Sequence, residues 1–251
     1  MHTVPVKSII TLLMFALLSH AQPTTNANSA ITSAAAAKEF LGLVFYEKQD
    51  TSLTGMTSSI AAFNKTLAKK ITVFKASLSD PVNKDVAGKY GIQGGGDLPI
   101  LLILAPNSAI TGGYPKAVTS VQLKQSISVS DLMLKTLQPL QEQKVALVAL
   151  QNTTTKFNME SWAGVSDFAS DPNFKQVVTA IKADPSAAGS QEFMKQCQLV
   201  APLTEATVVV LLPPGRIGKV FKGKVAKVDI LGALQSCSSG SSCKPGSCGS
   251  R

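Results

Sequence analysis

Residues 87–104 read AGKYGIQGGGDLPILLIL. Ala87 to Tyr90 close a helix that Gly91 stops, because glycine takes the left-handed conformation that a helix end needs. Gly94 to Gly96 form a flexible turn. Pro99 to Leu104 are then a short, unbroken apolar run, the pattern of a buried strand. On the C-terminal side, Pro106-Asn107-Ser108 turns the chain and Ala109 to Tyr114 returns as a hairpin partner. Thr119 can cap a helix through Ile127. On the N-terminal side, Val82 to Tyr90 suit a short helix entered at Asp80-Pro81. Ile71 to Leu78 alternate as a strand. Met56 to Leu67 suit an amphipathic helix, with Ile60, Phe63 and Leu67 on one face. Leu41 to Tyr46 are a first strand. Residues 22–37 begin as a polar linker and become the alanine-rich start of a helix.

The pattern then recurs. Lys144 to Leu150 read as a strand, Val177 to Lys182 as a second one ended by Asp184-Pro185, and Ser190 to Leu199 as a helix. Thr207 to Leu212 are a buried strand, Ile217 to Phe221 return, and Ala226 to Gln235 close as a helix. An offset of 107 carries Pro106 onto Pro213, Ile110 onto Ile217, Tyr114 onto Phe221 and Lys75-Ala76 onto Lys182-Ala183. One offset across several elements predicts a duplicated α/β unit. The expected organisation is a leader at 1–21, a linker at 22–37, a first domain at 38–128, a linking helix at 129–143, a second domain at 144–236 and a tail at 237–251.

The helix ending Ala87, Lys89, Tyr90, Gly91, Ile92, then Leu98-Pro99, the strand and the tight turn at Asn107 resemble the thioredoxin-like superfamily over roughly residues 36–127. The second copy is recognisable mainly through the first. The resemblance implies an α/β fold of two tandem thioredoxin-like domains, each a mixed central sheet flanked by helices, with a disordered C-terminal tail. It also implies a cis Leu98-Pro99 bond and a bacterial envelope or exterior setting. The chain departs from the family at its chemistry. The two positions of the catalytic CxxC fall near Asp50 and Leu53, and neither side chain forms a thiolate. The family's buried strand aspartate falls at Val44. In the second copy, Gln151 to Thr155 hold no cysteine, and Ala206 stands at the cis-proline position.

The start of the chain has the marks of a secretory signal: Lys7, an apolar run from Ile9 to Leu18, and Ser19-His20-Ala21 as the cleavage site before Gln22. That run is about half the roughly 20 residues a membrane span needs. No membrane span is expected after cleavage, and a secreted or periplasmic location is. His2 and His20, the only histidines, both leave with the leader. The mature chain then has no histidine for nucleophile activation or metal ligation. Net charge is +9, and removal of Lys7 leaves +8 because all 15 acids follow residue 21. The basic residues are scattered. The densest group (Arg216, Lys219, Lys222, Lys224 and Lys227) alternates with apolar residues as a hairpin face does, so no nucleic-acid partner is expected.

The four cysteines are Cys197, Cys237, Cys243 and Cys248, the last three in a Ser/Gly-rich tail with C-x5-C-x4-C spacing. Three readings stay open. In an oxidising compartment they form disulfides, for example between Cys197 and Cys237. Cys237, Cys243 and Cys248 hold Cu(I) or Zn(II) as thiolates. Or a mobile pair exchanges disulfides with partners. No phosphate loop, dinucleotide fingerprint or paired-carboxylate signature is present, because Gly94 to Gly96 are not followed by Gly-Lys-Ser/Thr. Trp162, the single tryptophan, reads as packing for the second domain. The expected function is non-catalytic binding or chaperone-like work on a protein partner, through Asp50, Leu98 and Pro99. No cofactor is expected beyond possible Cu or Zn at the tail. The alternative is thiol exchange or soft-metal handling by the tail.

Overall fold

The computed structural model describes residues 26–66 and 70–238. The first unit runs α1 (Ala27–Ala37), β1 (Phe40–Tyr46), α2 (Thr51–Thr66), β2 (Ile71–Ser77), α3 (Pro81–Lys89), β3 (Ile100–Leu104), β4 (Ile110–Pro115) and α4 (Ser120–Ile127). The second runs α5 (Asp131–Gln141), β5 (Val145–Leu150), α6 (Asn158–Ser170), β6 (Val178–Ala183), α7 (Ala188–Gln196), β7 (Thr207–Leu212), β8 (Arg216–Lys222) and α8 (Lys227–Ser238).

Each unit holds a four-stranded mixed sheet, ordered β2-β1-β3-β4 and β6-β5-β7-β8. In each, the first pair is parallel and the other two pairs are antiparallel. The central strands β1 and β5 are buried on both faces, so their sequences are continuously apolar rather than alternating. In the first unit α1 and α3 cover one face and α2 and α4 the other. In the second, α5 and α7 cover one face and α6 and α8 the other.

The duplication holds in detail. The offset of 107 relates α3 to α7 end to end and relates the starts of α2 and α6, of β2 and β6, and of α4 and α8. It also relates backbone features. Gly91 (φ 68°) and Gln198 (φ 56°) both end a helix in the left-handed region. At both ends the next amide reaches back, from Ile92 to the Ala87 carbonyl and from Leu199 to the Met194 carbonyl. The first strands fall out of step. Their sheet registers relate Phe40 to Val145, an offset of 105, so the stretch from Val145 to the start of α6 is two residues longer than that from Phe40 to the start of α2.

Two segments read as linkers belong to the domains. Residues 22–37 contain all of α1, which starts at a capping box between Asn26 and Ser29 and buries Ala27, Ala30 and Ala34. The Ala27 amide also donates to Asn83 Oδ1 of α3 at 3.1 Å. Residues 129–143 contain α5, whose Leu132 and Leu140 are buried in the second core. α5 also holds the first unit. Asn107 Nδ2 donates to the Leu134 carbonyl at 2.8 Å. The Gln141 amide both donates to and accepts from the Ile110 backbone, at 2.8 and 2.7 Å. A side chain thus pairs the first residue of edge strand β4, which would otherwise offer unpaired groups to another chain.

Candidate functional site

Asp50, Leu98 and Pro99 line a cleft of about 350 Å³ with Tyr46, Glu47, Lys48, Gly95 and Gly96. It opens where β1 ends and α2 begins. Asp50 stands just before α2, and its Oδ1 accepts from the Leu53 amide at 3.0 Å. Asp50 therefore does the work of an N-cap, satisfying one of the free amides of the first turn. Leu53 is buried. The two positions where the resemblance would put cysteines thus hold a cap and a core side chain. Val44 is fully buried in the core.

The Leu98-Pro99 bond is cis. Pro99 is buried and Leu98 half-buried, while Gly94 to Asp97 are exposed. The Leu98 amide donates to the Gly95 carbonyl, and the Pro99 carbonyl accepts from the Lys116 amide at 2.7 Å. Exposed Lys116 lies 3.6 Å from exposed Asp97. The cleft has apolar Leu98 and Pro99 beside Tyr46 on its floor and charges of both signs, Glu47, Lys48 and Asp50, on its rim. None of its lining side chains is a thiol or an imidazole.

The second unit closes the equivalent place. Ala206, unlike Pro99, keeps its N–H, which donates to the Lys156 carbonyl at 2.8 Å, and the Lys156 amide donates to the Thr204 carbonyl at 3.0 Å. The longer loop is thus tied down. Its side chains are tied as well. Asn152 Nδ2 donates to Asp184 Oδ1 at 2.9 Å, Asn158 Nδ2 to the Asn152 carbonyl at 2.6 Å and Thr155 Oγ1 to Asn158 Oδ1 at 2.7 Å. Hydrogen bonds from the Ser186 hydroxyl and amide, then from Asn152, hold the Asp184 carboxyl below its ordinary value. The sequence reading missed this network. Its only signal was a concentration of Asn, Thr, Asp and Ser after two neighbouring strands.

With its side-chain amide turned so that both ends are satisfied, Gln151 donates to the Asn158 carbonyl at 3.1 Å and accepts from Lys182 Nζ at 3.0 Å. That ammonium lies 5.6 Å from the centre of the Trp162 ring, and Trp162 packs on the second core. In the basic hairpin group, Lys224 pairs with Glu160 at 3.7 Å and Lys227 pairs with Asp171.

The structure describes the surroundings of Cys197 and not those of the other three cysteines. Cys197 follows α7, is 7% exposed and packs with Phe193 and Met194 in the second core. It is a free thiol. Cys237 lies in the last turn of α8, and α7 and α8 cover opposite faces of the sheet. Cys243 and Cys248 lie outside the described residues, so the expected metal set does too. Among the described residues no group of three or more His, Cys, Asp or Glu is placed to hold a metal ion.

Burial pushes the Cys197 thiol up to about 11. At pH 8 its thiolate fraction is then about one in a thousand, against about one in ten for an unperturbed thiol near 9. Reaction of native Cys197 with a water-soluble disulfide reagent is expected to be slow at pH 8, to quicken with pH up to about 11, and to become fast on unfolding. Thiol titration of a variant with Cys237, Cys243 and Cys248 changed to serine measures this. Between about 9 and about 11 the unfolded chain gives up its proton first, so this group's contribution to stability is lost as pH rises through that window.

No protein-family profile and no curated protein matches the chain. Several solved structures align with it. The first two thioredoxin domains of Saccharomyces cerevisiae Eps1p are 11% identical over 78% of this chain and 89% of that one, with a TM-score of 0.29. The zinc-bound form of human ERp44 is 10% identical over 88% of this chain and 57% of that one, at 0.35. The NTD_N/C domain of alkylhydroperoxide reductase AhpF from Enterococcus faecalis is 16% identical over 82% of this chain and 98% of that one, at 0.29. Alignments this loose carry no functional argument, and the strand order, the helix placement and the loop before Pro99 carry the fold. By that topology, repeated in both halves, the chain folds as two tandem thioredoxin-like domains, and its described residues contain no CxxC pair.

Proposed function

We propose that this chain is an exported, non-catalytic binding module that takes extended polypeptide segments in the Asp50–Leu98–Pro99 cleft of its first domain. The observation that carries the reading is the contrast between the two copies. In the first the loop leaves a cleft beside half-buried Leu98, with Pro99 in its wall, and in the second it is hydrogen-bonded to Ala206. An apolar floor with a rim of both charge signs suits a partner segment that presents an apolar side chain among polar neighbours. With Asp50 and Leu53 at the thiol positions, contact there leads to no disulfide exchange.

Among the described residues no helix is long and apolar enough to cross a membrane. The signal read at Lys7 to Ala21 lies outside the described residues. Its role in export is tested by whether the exported chain begins at Gln22.

Binding is tested with reduced, carboxymethylated lactalbumin, a permanently unfolded chain, labelled for fluorescence anisotropy. Saturable binding is expected. Leu98→Lys, which puts a cation on the apolar floor, is expected to weaken it by about tenfold or more. Unchanged affinity in a variant whose urea midpoint is also unchanged contradicts the reading. The alternative, thiol exchange or Cu/Zn handling by Cys237, Cys243 and Cys248, predicts that the tail rather than Leu98 controls the activity.

A further inference from the structure

A second cavity, of about 610 Å³, lies at the opposite end of the first sheet from the Leu98–Pro99 cleft. Lys38, Glu39 and Phe40 at the start of β1, Lys70 before β2 and Pro106-Asn107 after β3 form one wall, and Val129, Asp131, Leu134 and Lys135 of the second unit form the other. Its volume is in the range of small-molecule sites, and domain junctions are a common place for them. Buried Phe40 and half-buried Pro106, Val129 and Leu134 make an apolar interior.

Lys38, Lys70 and Lys135 all line this space, and all three are exposed. None of the three forms an ion pair within 4 Å among the described residues, although two carboxylates share the cavity. Those carboxylates are engaged elsewhere. Glu39 accepts from Thr72 Oγ1 at 2.6 Å. Asp131 sits in the first turn of α5, where the helix dipole favours an anion. Two of the lysines rise from fixed backbone. Lys38 is the left-handed C-cap of α1, with its amide on the Ala34 and Ala35 carbonyls. Lys70 is followed by Ile71, whose amide and carbonyl are both bonded by the Asn64 side chain, at 2.9 and 2.8 Å.

From this arrangement we infer that the junction cavity binds a small amphipathic anion, a carboxylate on an unbranched apolar chain. The chain lies against Phe40, Val129 and Leu134, and the carboxylate is held among Lys38, Lys70 and Lys135. The inference is independent of the Leu98–Pro99 cleft.

Calorimetric titration of the full chain with decanoate tests it, with decyltrimethylammonium as a probe of equal tail and opposite charge. Saturable one-to-one binding of decanoate is expected, with none of the cation. Lys38→Glu/Lys70→Glu/Lys135→Glu is expected to weaken decanoate by about a hundredfold, and the single exposed-site variant Lys135→Glu, which guards against misfolding of the triple one, by about tenfold. Leu98→Lys is expected to leave it unchanged. Absence of saturable binding, equal binding of the cationic probe, or unchanged affinity in Lys135→Glu and the triple variant overturns the inference.

Discussion

Phe45→Ala is expected to destabilise the first domain by about 3–5 kcal/mol. Phe45 is fully buried in central strand β1, paired with Ala76 of β2 on one side and Ile100 of β3 on the other. Its ring packs with Leu43, Val86 and Ala87 among others in the core beneath α1 and α3. Truncation removes the transfer energy of the ring and leaves a space that strands bonded on both sides cannot close. The loss reaches function as well, because the next residues, Tyr46 and Glu47, are walls of the candidate cleft. Urea unfolding measures the stability, and binding of the unfolded probe is expected to weaken in the same variant. Phe45→Leu, which fills most of the volume, is expected to lose much less in both measurements.

Gly164→Ala is expected to cost about 3 kcal/mol, the upper end of the range for one added methyl group in a packed interior. Gly164 is in α6, and a Cβ there would lie 2.0 Å from the Val225 carbonyl oxygen and 3.0 Å from the Ala226 Cα. Both obstacles are backbone in the loop between β8 and α8, so no rotamer relieves the overlap, and helix and loop must separate. Separation loosens the packing of Val165 and Phe168 against Val225 and Ile230. Gly55 of α2 is the control, because a Cβ there meets nothing within 4 Å. Gly55→Ala is expected to stabilise by about 0.5–1 kcal/mol through helix propensity alone. Urea midpoints that move in opposite directions for the two variants confirm the assignment, and a neutral Gly164→Ala contradicts it.

Much of this fold is legible in local patterns. The stop at Gly91, the cap at Thr119 and the apolar runs of β3 and β7 each need only a few neighbouring residues, and all are found where the sequence places them. The sequence reading treats Cys197 as a disulfide candidate, and its place in the core beside Phe193 and Met194 comes from the packing. What was hidden depends on distant partners. α5 reads as a link because its own sequence does not show that Leu132 and Leu140 face the second sheet while Asn107 and Gln141 bind it to the first. The closure of the second cleft depends on an amide at Ala206 that meets a carbonyl at Lys156, 50 positions earlier. The cationic junction is likewise assembled from lysines at 38, 70 and 135, which only the packing of the two units brings to one cavity.

The central claim is that the work is done by the first-domain cleft and not by thiols. It is tested most directly by binding of the carboxymethylated unfolded chain to the protein with Cys237, Cys243 and Cys248 all changed to serine. The probe has no free thiol, and the variant has none in its tail. Affinity equal to that of the unchanged protein is the predicted result. Loss of binding in the serine variant, with its urea midpoint unchanged, would contradict the account and move the activity to the tail.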